Sequence, residues 1–108
     1  MNNDLVLEFL KMALNGNTQT AEVKQVTINK GRYIVIGNRG NIVVGDLSIT
    51  GSTGTLKNAS VIRRWGTSNG LGELALYGKQ ENTKLDPCGE FEFEVLTTCG
   101  MIPVKSDL

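Results

Sequence analysis

The 108-residue chain has no histidine, two cysteines, two prolines and one tryptophan, and its 11 basic side chains are balanced by 11 acidic ones. Without imidazole it lacks the usual general base near neutral pH, the commonest zinc ligand and every Ser-His or Cys-His arrangement. Hydrolytic catalysis is therefore disfavoured, and the chain is not expected to be an enzyme. Cys88 and Cys99 lie too far apart for a redox CxxC pair. They are also too few for a disulfide framework or a four-ligand zinc site, so both are read as reduced thiols. Balanced charge removes the global positive field that draws proteins to long nucleic acid or anionic membranes. No apolar stretch approaches a membrane span, and the start of the chain, with Glu8 and Lys11 interrupting its apolar run, does not read as a signal peptide. A soluble, cytoplasmic protein is expected.

A chain of this length fits one domain, residues 1–108, whose small core would gain from self-association. A homo-oligomer, dimer or higher, is therefore expected. Asp4 to Asn15 reads as a helix, apolar around most of its circumference and stopped by Gly16, that packs in the core or at a dimer contact. A β-rich body over residues 22–105 follows. Strand-like runs occupy Glu22–Ile28, Tyr33–Ile36 and Ile42–Leu47, separated by turn signals at Asn29-Lys30-Gly31 and Gly37-Asn38-Arg39-Gly40-Asn41. Gly45 marks a bulge or a close approach. Ser48–Gly54 reads as loop, Lys57-Asn58 as a local turn and Ser60–Trp65 as a strand. Leu71, Leu74, Ala75 and Tyr77 fall at helical spacing, with Ser68 or Asn69 as cap and Gly78 as stop. After a polar loop at Lys79–Asp86, Glu90–Leu96 alternates cleanly, and Met101–Val104 closes the body as a short strand that Pro103 assigns to an edge. The sum is an α+β fold: an N-terminal helix on a mainly antiparallel sheet of five to six strands, with a short second helix near 69–77.

Thr55 to Gly78 concentrates the groups that could bind something: adjacent Arg63 and Arg64, the single tryptophan Trp65, and a glycine-rich approach to the second helix. On a strand the two arginines point to opposite faces, so one can hold an anion while the other pairs with a carboxylate of a neighbouring strand. Trp65 is expected in the core of so small a domain, where it can still wall a pocket. Backbone amides at Asn69, Gly70 and Leu71 would suit a phosphate at a helix start. Arg39 on its Gly/Asn loop is a candidate cover for a ligand, with an ordinary surface role as the alternative, and Tyr77 is equally open between pocket and structure. Glu90, Glu92 and Glu94 share one strand face, and without histidine they read as solvated or paired across strands rather than as a metal site. No metal and no cofactor are expected.

The run Val44-Gly45-Asp46-Leu47, Leu56-Lys57-Asn58-Ala59, Arg63-Arg64-Trp65-Gly66 and Leu71-Gly72-Glu73-Leu74-Ala75-Leu76-Tyr77-Gly78, with Ile102-Pro103-Val104 beyond it, resembles a family of small phage and prophage proteins. Among these it is similar to the first Thoeris anti-defence class, the sponges. The likeness spans about residues 33–105. It departs at Ser60, where the family pattern prefers a basic residue, and at Gly72, which weakens the helix start. The resemblance implies a phage-encoded protein that acts in the host bacterial cytoplasm. Such a protein binds a cyclic ADP-ribose isomer or a cyclic oligonucleotide, without cleaving it, so that the host effector is never triggered. Two other readings stand beside it: a phage structural or assembly protein, and a protein-binding inhibitor of a host enzyme.

Overall fold

The computed structural model describes residues 25–108. The expected helix at Asp4–Asn15 lies outside the described residues. Five strands form one sheet: β1 (Thr27–Ile36), β2 (Ile42–Thr50), β3 (Thr53–Arg64), β4 (Lys84–Glu94) and β5 (Gly100–Pro103), in the order β4-β3-β2-β1-β5. Every pairing is antiparallel. Among the described residues one α-helix, α1 (Leu71–Tyr77), joins β3 to β4, and a 3-10 turn at Val95–Thr97 leads into β5. Among the described residues the fold is thus α+β with a five-stranded antiparallel sheet. No helix of those residues is long and apolar enough to cross a membrane.

The strands are longer than the sequence suggests, because several turn-forming residues sit inside them as bulges. Asn29-Lys30-Gly31 does not end a strand: β1 runs through it, and the register with β2 slips between Asn29 and Gly31. Gly31 has a φ of 91°, which a bulged position tolerates only at low steric cost when no Cβ is present. Lys57-Asn58 is likewise a bulge within β3 rather than a turn, with Asn58 at a φ of 50° and the register against both neighbours shifting there. The stretch expected as a loop at Ser48–Gly54 is mostly strand, since Thr50 pairs with Thr53 and only Gly51 and Ser52 turn the chain. β4 starts at Lys84, inside the expected polar loop, and admits Pro87 because it is an edge strand. Pro103 lies on the opposite edge, as its missing N–H requires.

Alternation along these strands gives the sheet two apolar faces. On one, Ile34, Val44 and Ile62 are buried under Leu71, Leu74 and Ala75 of α1, with Leu108 joining them. On the other, Val35, Val43, Leu47, Leu56 and Ala59 form a second cluster, extended by Phe91 and Phe93. Gly45 lets β2 approach β3 closely, since a Cβ there would stand 2.9 Å from Leu56 Cβ. Gly78 ends α1 as expected, its amide donating to the Leu74 carbonyl at 2.9 Å.

The bulge of β3 is closed by a polar tie across three strands. The Arg32 guanidinium donates to Asp46 Oδ1 and to the Asn58 carbonyl, each at 3.1 Å, and the Asn58 amide donates to Asp46 Oδ2 at 3.1 Å. The hydrogen bond from the Asn58 amide holds the Asp46 carboxyl below its ordinary range; burial opposes it, and the hydrogen bond and charge of Arg32 add to the lowering. A carboxyl with a depressed folded pKa stabilises the fold above its unfolded pKa of about 3.9, and that contribution is lost as pH falls through the lower folded value. Asp46→Asn is therefore expected to be less stable than wild type at pH 7. The gap should close progressively below about pH 4, measured by urea unfolding across pH.

Candidate functional site

The antiparallel order brings four separate segments to one end of the sheet. β1 ends and β2 begins there around the Gly37–Asn41 turn, β3 ends there at Arg64, and β4 begins there at Lys84. Arg39, exposed on the turn, thus stands at the same end as Arg63, Arg64 and Trp65. The register makes the neighbourhood of β2 and β3 explicit, with Val43 opposite Val61 just inside this end.

The two arginines differ in what holds them. Arg63 Nε donates to Asp86 Oδ2 at 2.8 Å, an exposed ion pair between β3 and β4. Arg64 is exposed and has no hydrogen-bond or ion-pair partner among the described residues. Directly across the ladder from it is Lys84, also exposed and also without a partner among those residues. Like charges facing each other on neighbouring strands cost stability, by about 0.2–1 kcal/mol. The pair thus gathers two positive charges that an anion would neutralise. Lys84 carries no signal of its own in the sequence, because only the β3–β4 register brings it to Arg64.

Trp65 is not a core residue: it is 42% exposed, less than Leu76 or Tyr77 but well outside the buried core. Its backbone is nonetheless fixed. The Thr83 hydroxyl, almost completely buried, donates to the Trp65 carbonyl at 2.7 Å and accepts from the Gln80 amide at 2.9 Å. Next in sequence, Gly66 lies against the Asn82–Thr83 backbone, where a Cβ would stand 2.5 Å from the Thr83 nitrogen. This clamp fixes the backbone where Trp65 leaves β3, next to Arg64 in sequence, with its side chain partly exposed.

The helix start is less suited to an anion than the sequence implies. α1 has only seven residues, and its N-cap is Gly70 with no side-chain cap, rather than Ser68 or Asn69. The Asn69 amide already donates to Glu73 Oε1 at 3.2 Å, so the chain's own carboxylate occupies part of the position expected for a phosphate. The Gly70 carbonyl accepts from Thr67 Oγ1 at 2.9 Å, and the Leu71 side chain belongs to the core. Glu73, three residues after the cap, is the sequence signal that points to this self-capping. Tyr77 is exposed at the far end of α1, about 9 Å of helix rise from Leu71, and the next residue, Gly78, lies against Asp107 of the C-terminal segment. Glu90, Glu92 and Glu94 are all exposed along β4. No group of three or more potential metal ligands occurs among the described residues.

A separate cleft of about 310 Å³ opens elsewhere on the sheet, around the two bulges, lined by Asn29, Gly31, Asp46, Ser48, Lys57 and Asn58 with Leu47 behind them. It shares no residue with the arginine end. Comparison with protein-family models, curated proteins and solved structures finds no match to the chain.

Proposed function

We propose that this chain is a non-catalytic binding protein that captures a cyclic nucleotide-type immune signal, a cyclic ADP-ribose isomer or a cyclic oligonucleotide, and withholds it intact from a host receptor. The observation that supports this reading most is the facing pair Arg64 and Lys84, two exposed cations without partners among the described residues, beside the half-open ring of Trp65. Two cations neutralise a phosphate or pyrophosphate, and an indole stacks on a base. Arg39 would add positive charge at the rim, whereas the charge of Arg63 is matched by Asp86. The choice of signal, and the phage origin, rest on the resemblance carried by Thr55–Gly78. Capture needs no general base, in keeping with a chain that has no histidine. A homo-oligomer would let two such ends enclose one ligand and bury more of it than a single sheet end can.

A second reading has its own observation. Leu76 and Tyr77 are 56% and 73% exposed next to each other at the end of α1, a small apolar patch suited to contact with another protein. Native mass spectrometry separates the two readings. The sponge reading predicts that the protein retains a cyclic nucleotide from a panel at fixed stoichiometry and releases it chemically unchanged on heating. A protein that ignores the whole panel, yet is recovered bound to one host enzyme through Leu76 and Tyr77, would replace it.

A further inference from the structure

The cleft at the bulges has a construction of its own, independent of the arginine end. The bulge of β1 between Asn29 and Gly31 and that of β3 between Leu56 and Ala59 fall on either side of the same stretch of β2. Bulges re-aim side chains and loosen a ladder locally, and two of them flanking one strand open a depression on the sheet. In register, Asn29 faces Ser48 and Lys57 faces Asp46, so an amide, a hydroxyl, an ammonium and a carboxylate border one space of about 310 Å³.

The charges there are unevenly matched. Asp46 spends one carboxylate oxygen on Arg32 and the other on Asn58. Arg32 therefore neutralises it, and Lys57 is left as the one unmatched charge among the residues lining the cleft. The Asn29 amide, the Ser48 hydroxyl and the Lys57 ammonium have no hydrogen-bond partner among the described residues. Asn29 and Ser48 both donate and accept, the pattern that hydroxyl groups require of a site. No aromatic side chain lines the cleft, so a base would find no platform to stack on. The volume is at the lower end for small-molecule sites. Lys57 and Arg64 are also about 20 Å apart along β3, too far to hold one small ligand together.

We propose that this cleft is a binding site for a small polyhydroxylated monoanion of the sugar-acid class, its carboxylate on Lys57 and its hydroxyls on Asn29 and Ser48. The site stands apart from the nucleotide reading and does not depend on it. The test is an NMR titration of the ¹⁵N-labelled protein with glucuronate, using neutral glucose and inorganic phosphate as comparators. Methyl glucuronide replaces glucuronate in a parallel arm, to distinguish a free sugar acid from the end of a longer glycan. Saturable shifts at the amides of Asn29, Gly31, Ser48 and Lys57 are expected, with a Kd of about 1 mM and neither comparator matching it. The exposed-site variant Asn29→Ala/Lys57→Ala should keep the remaining spectrum and bind at least about tenfold more weakly. The proposal is overturned by no saturable response at those amides, by phosphate binding as well as glucuronate, or by unchanged affinity in the folded double variant.

Discussion

Gly66→Ala is expected to lower the stability of the protein by about 3 kcal/mol or more, a large part of the roughly 5–15 kcal/mol that holds a domain of this size together. Two effects add. Gly66 has a φ of 66°, where an L-residue pays about 1–2 kcal/mol. Its added Cβ would also meet the carbonyl carbon of Asn82 and the nitrogen of Thr83, both of them backbone atoms that cannot swing aside. Relief would require pulling the chain at Gly66 away from Asn82–Thr83, and this would stretch the hydrogen bond from Thr83 Oγ1 to the Trp65 carbonyl. The melting temperature should fall by about 10 °C or more. A Gly66→Ala variant that melts with wild type would mean that this junction is not a clamp at all.

Leu74→Ala is expected to cost about 2–5 kcal/mol, because Leu74 is completely buried and the sheet beneath it cannot collapse into the space. The damage should spread along one path. A seven-residue helix has no stability of its own in water, so α1 depends on the packing of Leu71, Leu74 and Ala75 against Ile34, Val44 and Ile62. The segment after β5 depends in turn on α1: the Lys105 amide donates to the Ala75 carbonyl at 2.7 Å, and Ser106 Oγ donates to the Leu74 carbonyl at 2.9 Å. Hydrogen exchange should therefore quicken together at Gly78 and Lys105, while the central amides of β2 change least. Loss of protection spread evenly over all five strands would show instead that α1 and the sheet unfold as one unit.

What can be read from the sequence follows from the range of the interactions involved. The antiparallel body, α1 with its stop at Gly78, and the edge position of Pro103 are local: period, cap and missing N–H are each written within a few residues. The bulges escape such a reading because Gly31 and Asn58 supply positive φ equally well to a turn or to a bulge, and only the partner strand decides which. Composition places Trp65 inside, but the indole lies where β3 leaves the sheet. Its exposure depends on the clamp between Gly66 and Thr83, 17 residues apart. Arg63 and Arg64 are legible as a candidate pair. The roles that divide them, Asp86 for one and the facing Lys84 for the other, come from the register of β3 on β4. The tie of Arg32 to Asp46 and Asn58 leaves no sequence signal, since no motif connects three strands across a bulge.

Lys84→Glu tests in one protein whether Arg64 and Lys84 face each other to receive an anion. The glutamate would pair with Arg64 across the ladder and convert a repulsion into an attraction, raising stability by about 0.2–1 kcal/mol. The same change places a negative charge where the ligand phosphate would sit. The variant is expected to melt higher than wild type and to bind the nucleotide retained by wild type at least about tenfold more weakly. A variant that gains stability and keeps wild-type affinity would contradict it, because the two cations would then be neighbours without a shared ligand.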